Sequence, residues 1–92
     1  MIWRQMGLKK GTTLVSAQDR KLLKALGNRI REIRNKKKLS VYDVTGEDLP
    51  IRSRQHWQKI EAGQLSLTFI TLYKIAQSLD VPVNDLVKSI NE

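Results

Sequence analysis

Leu22, Leu26, Ile30 and Ile33 stand four, four and three residues apart, a spacing that lines one face of a helix and no face of a strand. Ser16-Ala17-Gln18-Asp19 opens this run as a capping box would, with an acid three residues after a Ser. Lys36-Lys37-Lys38 closes it, where cations suit the negative end of the helix dipole. The same punctuation recurs downstream. Ser40-Val41-Tyr42-Asp43 repeats the cap and opens a short second helix expected to stop near Gly46. Pro50 disfavours helix at Leu49, so Glu47 to Arg52 should be a turn. Ser53 caps a third helix with an apolar seam at Trp57 and Ile60 and a stop at Gly63. Thr68 caps a fourth, whose apolar face should hold Phe69, Leu72, Ile75, Ala76 and Leu79. Pro82 fits the first turn of a last short helix carrying Val83, Leu86, Val87 and Ile90. The expected fold is therefore all-α, a compact bundle of five helices over residues 16–92.

Residues 1–15 form an N-terminal arm of a different character. Gly7, Gly11 and Thr12-Thr13 oppose helix, and Leu14-Val15 suit an extended chain. Three readings of the arm stay open: disorder, docking of Ile2 and Trp3 on the domain or a second subunit, and Arg4, Lys9 and Lys10 reaching around a duplex.

Charge narrows the partner. The formal net charge is +8, and Arg20 to Lys38 alone holds nine basic residues against the single acid Glu32. A polyanion suits such a stripe. Nucleic acid fits better than a membrane surface, because no stretch joins that charge to a Trp/Phe/Leu face. The chain has no Cys, which excludes disulfides and thiolate metal sites and accords with a reducing compartment. No long apolar run and no hydrophobic leader core occurs, so the expected setting is the cytoplasm.

Catalysis finds little support. His56 is the lone His and has no obvious paired acid, the glycines are scattered singly rather than gathered in a phosphate loop, and no acid spacing suggests a metal cage. The expectation is a binding protein with no enzyme activity, no cofactor, no metal and no small-molecule substrate. The third helix is where binding chemistry concentrates. Arg54, Gln55, His56, Gln58 and Lys59 crowd its polar side, and long flexible donors on one face are what a base edge in a DNA groove requires. A plain solvated helix face would look similar.

Several segments occur together in a familiar order: Leu26-Gly27-Asn28-Arg29-Ile30-Arg31, Arg34, Leu39-Ser40, Ile60-Glu61-Ala62-Gly63 and Leu72-Tyr73-Lys74-Ile75-Ala76-Gln77-Ser78-Leu79. Over about residues 22–90 the chain resembles the phage repressor/Cro-type helix-turn-helix family, also called XRE-like. That resemblance implies a lambda-repressor-like bundle acting as a transcription regulator on double-stranded DNA, with the third helix in the major groove. It implies base contacts from Arg54, Gln55 and Lys59, with His56 beside them. Arg54 would suit guanine and Gln55 adenine. Ser40, Ser53, Gln58, Arg52 and Lys38 would meet the DNA backbone, Ser40 because it opens a helix whose first N–H groups can hold a phosphate. Arg34 and Glu61 would form a partly buried ion pair. A homodimer on a two-fold site is the expected working form, through the last helix or the arm. The alternative is a protein-interaction module of antitoxin or adaptor type on the same fold, with DNA binding secondary.

The chain departs from that family in one place. Leu39 to Glu61 is two residues longer than usual, with the surplus in Thr45–Arg52. Thr45 replaces a small Ala, Val41 a Gln, and Trp57 an Ile or Val. Either the larger ring and the longer turn compensate one another, or the third helix meets the groove at an unusual angle.

Overall fold

The structure, a computed structural model, describes residues 16–88 and residue 90. The N-terminal arm lies outside these residues. Five helices follow in order: α1 (Ala17–Lys36), α2 (Val41–Val44), α3 (Arg54–Glu61), α4 (Phe69–Leu79) and α5 (Val83–Val87). No strand occurs among the described residues.

Local chemistry places the starts. Ser16, Ser40, Ser53 and Thr68 each accept a backbone N–H three residues on, from Asp19, Asp43, His56 and Thr71 at 3.0–3.1 Å. Each bond satisfies a donor that the helix itself cannot, worth roughly 1 kcal/mol. The reciprocal half of a capping box closes at Asp43, whose carboxylate accepts the Ser40 N–H at 2.7 Å. Pro82 stands just outside α5 as its N-cap.

Three helices end in the same way, with one residue in the left-handed region and paired backbone bonds that recover the last carbonyls. Leu39 and Lys38 donate back to Arg34 and Asn35, Gln64 and Gly63 to Lys59 and Ile60, and Val81 and Asp80 to Ala76 and Gln77. The left-handed residue is Lys38 (φ 60°) after α1, Gly63 (φ 73°) after α3 and Asp80 (φ 58°) after α4.

The core joins Ile30 and Ile33 of α1, Val44, Ile51, Trp57 and Ile60 around α3, Ile75, Ala76 and Leu79 of α4, and Leu86 of α5. Helix α1 packs on α3 and α5, α2 on α3, and α4 on α5. Two expected core positions lie outside: Leu22 is 50% exposed and Phe69 66%. Phe69 is the first residue of α4 and Leu22 lies in the second turn of α1, both near the N-terminal ends of their helices. At that end of α1 the burial shifts toward Leu23 and Leu26, which are half-buried.

The lengthened turn resolves into a closed knuckle. Helix α2 ends at Val44, one turn long, and Thr45 follows in extended conformation. The Thr45 side chain is buried, and its hydroxyl donates to the Val41 carbonyl at 2.7 Å, so the residue fits the position without an orphaned polar group. Gly46 N–H then bonds the Ile51 carbonyl at 3.2 Å, and Leu49 N–H the Gly46 carbonyl at 3.1 Å. Residues 47–50 are thereby extruded, while Ile51 returns to the core at 4% exposure.

Candidate nucleic-acid interface

Helix α3 is held from behind by a buried polar cluster. Glu61 is 4% exposed, and its carboxylate receives Arg34 Nε at 2.7 Å, Arg34 Nη2 at 3.0 Å and Trp57 Nε1 at 2.7 Å. Arg31 Nε adds a longer contact at 3.4 Å from a half-exposed position. Arg34 Nη1 meanwhile donates to the Leu39 carbonyl at 2.9 Å, so one guanidinium braces both the end of α1 and the end of α3. Burial by itself pushes the Glu61 carboxyl up. Hydrogen bonds from Arg34 and Trp57, the Arg34 charge and the Arg31 contact outweigh burial, and the carboxyl sits below its ordinary value. The hydrogen bonds to Glu61 likewise hold the Arg34 guanidinium above its usual range, against the effect of burial.

Apolar anchoring and backbone approach complete the seat. Trp57 is fully buried, a payload whose truncation typically costs about 3–5 kcal/mol. Gly27 in mid-α1 lets the end of α3 come close. A Cβ there would stand 2.7 Å from the Ile60 carbonyl oxygen and nearer still to that of Glu61. Gly63 makes a second approach, since a Cβ on it would lie 2.8 Å from the Lys24 Cα.

With its back fixed, α3 turns its polar residues to solvent. Arg54, Gln55, His56, Gln58 and Lys59 are all exposed. Among the described residues none of their side chains makes a hydrogen bond or ion pair within the protein. Arg54 instead rests on the Tyr42 ring, its guanidinium carbon 4.2 Å from the centroid. Of the residues expected near a DNA backbone, Ser53 caps α3, Arg52 lies exposed just before it, Gln58 shares its open face, and Lys38 is exposed at the left-handed turn after α1. Ser40 opens α2 with a capping box: its hydroxyl accepts from Asp43 N–H and its own N–H donates to the Asp43 carboxylate, and the N–H groups of Val41 and Tyr42 take no part in it. Hydrogen bonding from Ser40, its backbone N–H first and its side chain second, holds the Asp43 carboxyl below its ordinary value.

Sequence reasoning missed three of these contacts. Trp57 and Glu61 are an i,i+4 pair on one helix face, a spacing that announces contact. A glycine inside an otherwise strong helix, as at Gly27, signals close approach of another backbone. The Tyr42–Arg54 cation–π contact joins two helices across the turn and has no local signal.

No group of three or more His, Cys, Asp or Glu gathers to hold a metal among the described residues. No described helix is long and apolar enough to cross a membrane. A short helix, a turn and a second helix with an open polar face, seated on a scaffold of three more helices, define a helix-turn-helix regulator fold. No family model and no curated protein matches the chain. Among solved structures it is similar to the restriction-modification controller protein C.AhdI from Aeromonas hydrophila, at 30% identity and a TM-score of 0.62. The match spans 70% of this chain and 94% of that one. The chain belongs to the same helix-turn-helix family as that controller protein.

Proposed function

We propose that this chain is a sequence-specific, duplex-DNA-binding transcription regulator of the phage repressor/Cro (XRE-like) type, with α3 in the major groove. One observation carries the reading. Arg54, Gln55, His56, Gln58 and Lys59 project their donors to solvent from a helix whose opposite side is locked by Trp57, Ile60 and Glu61. Such rigidity is what base reading needs, since a misplaced donor loses the in-plane geometry of a base edge. Arg54, Gln55 and Lys59 are the proposed readers, with His56 beside them. Ser40, Arg52, Ser53, Gln58 and Lys38 are the proposed backbone contacts, and the basic stripe of α1 adds to nonspecific affinity. The likeness to a controller protein supports a regulatory role rather than an enzymatic one. A single domain touches few base pairs, so the proposed working form is a cytoplasmic homodimer on a two-fold site.

Selection of duplexes from a random pool tests this reading. An enriched, two-fold-symmetric sequence is expected, and Arg54→Ala should weaken it by about 1–3 kcal/mol while leaving random DNA nearly unchanged. No enrichment would refute it.

A second reading, a protein-interaction module, draws on α4. Phe69, Ile70 and Tyr73 lie exposed on one side of that helix, with the Phe69 and Tyr73 rings 6.4 Å apart. Beside them a groove of about 360 Å³ runs between α1 and α4, lined by Leu22, Leu23, Leu26, Leu67, Phe69 and Leu72. Contiguous apolar surface of this kind marks a contact with another protein. Salt dependence separates the two readings: steep loss of DNA binding as salt rises supports the first, and a flat response the second.

A further inference from the structure

Tyr42 and Arg54 belong to the first turns of consecutive helices, α2 and α3, and meet across the knuckle between them. Tyr42 is 69% exposed, so its ring contributes little to the core. Arg54 lies over that ring, at 4.2 Å from guanidinium carbon to ring centroid, well inside cation–π range. We infer that Tyr42 is a positioning residue for base recognition: it holds the Arg54 guanidinium by its face and thereby aims its edge at a guanine. This inference rests on the reading that α3 enters a DNA groove.

The way Arg54 is held matters as much as the fact that it is held. A guanidinium carries its five N–H donors in its plane, and a ring stacked on its face uses none of them. A carboxylate partner would consume the same pair of donors that guanine O6 and N7 require. Arg34 shows that case within this protein, with Nε, Nη1 and Nη2 all engaged. Arg54 has no such partner among the described ion pairs and keeps its whole edge available. Contact with the Tyr42 ring in the free protein also limits the Arg54 rotamers before the duplex arrives, which lowers the ordering cost of the base contact.

The test compares wild type, Tyr42→Phe and Tyr42→Leu, each with Arg54 intact and with Arg54→Ala, on the duplex selected from a random pool. Each guanine of that duplex is also replaced singly by 7-deazaguanine, which lacks the N7 acceptor. Tyr42→Leu should weaken the selected duplex about two- to fivefold, the range of an exposed cation–π contact. It should also shrink the penalty of 7-deazaguanine at one position, leave the salt slope unchanged, and have no effect once Arg54 is Ala. Tyr42→Phe keeps the ring and should keep wild-type discrimination. In the free protein, the Arg54 side-chain protons should show an upfield ring-current shift that Tyr42→Leu abolishes. Equal losses from Phe and Leu would overturn the inference by assigning the effect to the hydroxyl, and additive losses with Arg54→Ala would overturn it by uncoupling the two residues. If the pool yields no enriched duplex, the DNA reading falls and this inference with it. If it yields one and the variants act additively, the inference alone falls.

Discussion

Removing the Arg34 guanidinium should expose how much of this domain depends on one buried carboxylate. Arg34→Ala deletes two contacts to Glu61, at 2.7 and 3.0 Å, and one to the Leu39 carbonyl at 2.9 Å. Glu61 remains nearly inaccessible to water, with Trp57 Nε1 and the more distant Arg31 as its remaining donors. Breaking one side of a buried pair costs about 3–5 kcal/mol, because a charge is left inside without compensation. Trp57 and a reoriented Arg31 offset part of this, which places the expected loss near the lower end, about 3 kcal/mol. For a domain of this size each kcal/mol lowers Tm by about 4–8 °C, so a drop of about 12–24 °C is expected at pH 7. Thermal unfolding followed by circular dichroism measures it. Arg34→Met with Glu61→Gln serves as the paired control, since removing both charges together leaves neither stranded, and the Gln oxygen can still accept from Trp57 Nε1, so much of the stability should return. A melt of Arg34→Ala within about 2 °C of wild type, where a 3 kcal/mol loss requires several times more, would refute the reasoning.

Acid should erase the same contribution. The Glu61 carboxyl is below its ordinary value when folded, so the unfolded chain binds its proton first as pH falls. Its stabilisation is complete above the usual carboxylate range of about 4 and disappears as pH drops through the folded value. The Tm gap between wild type and Glu61→Gln should therefore narrow below about pH 4 in a pH series of melts; a gap that widens there would contradict this sign. Gly27→Ala should destabilise despite the better helix propensity of Ala, by about 1–3 kcal/mol in denaturant unfolding, because its Cβ meets the carbonyls of Ile60 and Glu61. Ser53→Ala should cost about 1 kcal/mol by removing the acceptor for the His56 N–H, and should fray the first turn of α3 in amide exchange.

The helices were legible in the sequence because their causes are local. A Ser or Thr oxygen reaches an N–H three residues away in the same stretch of chain, and a helical period is set within one turn. Ser16, Ser40, Ser53, Thr68 and Gly63 therefore marked boundaries that the structure shares to within a residue or two. The candidate reading face was legible for the same reason, since Arg54, Gln55, His56, Gln58 and Lys59 are neighbours on one short helix. Burial was less so. Period alone made Leu22 and Phe69 core residues, yet whether a face is covered depends on how far the neighbouring helix extends.

What the tertiary structure decided is how α3 is seated and aimed. The bond from Trp57 to Glu61, the carbonyls facing Gly27, the extrusion of residues 47–50 between Gly46 and Ile51, and the rest of Arg54 on Tyr42 all join separate segments or depend on a buried surroundings. The period of apolar residues and their caps determined that this chain is helical and where its helices begin. Only the packed bundle determined which side chains lock the third helix and which remain free, because that depends on what each helix face meets.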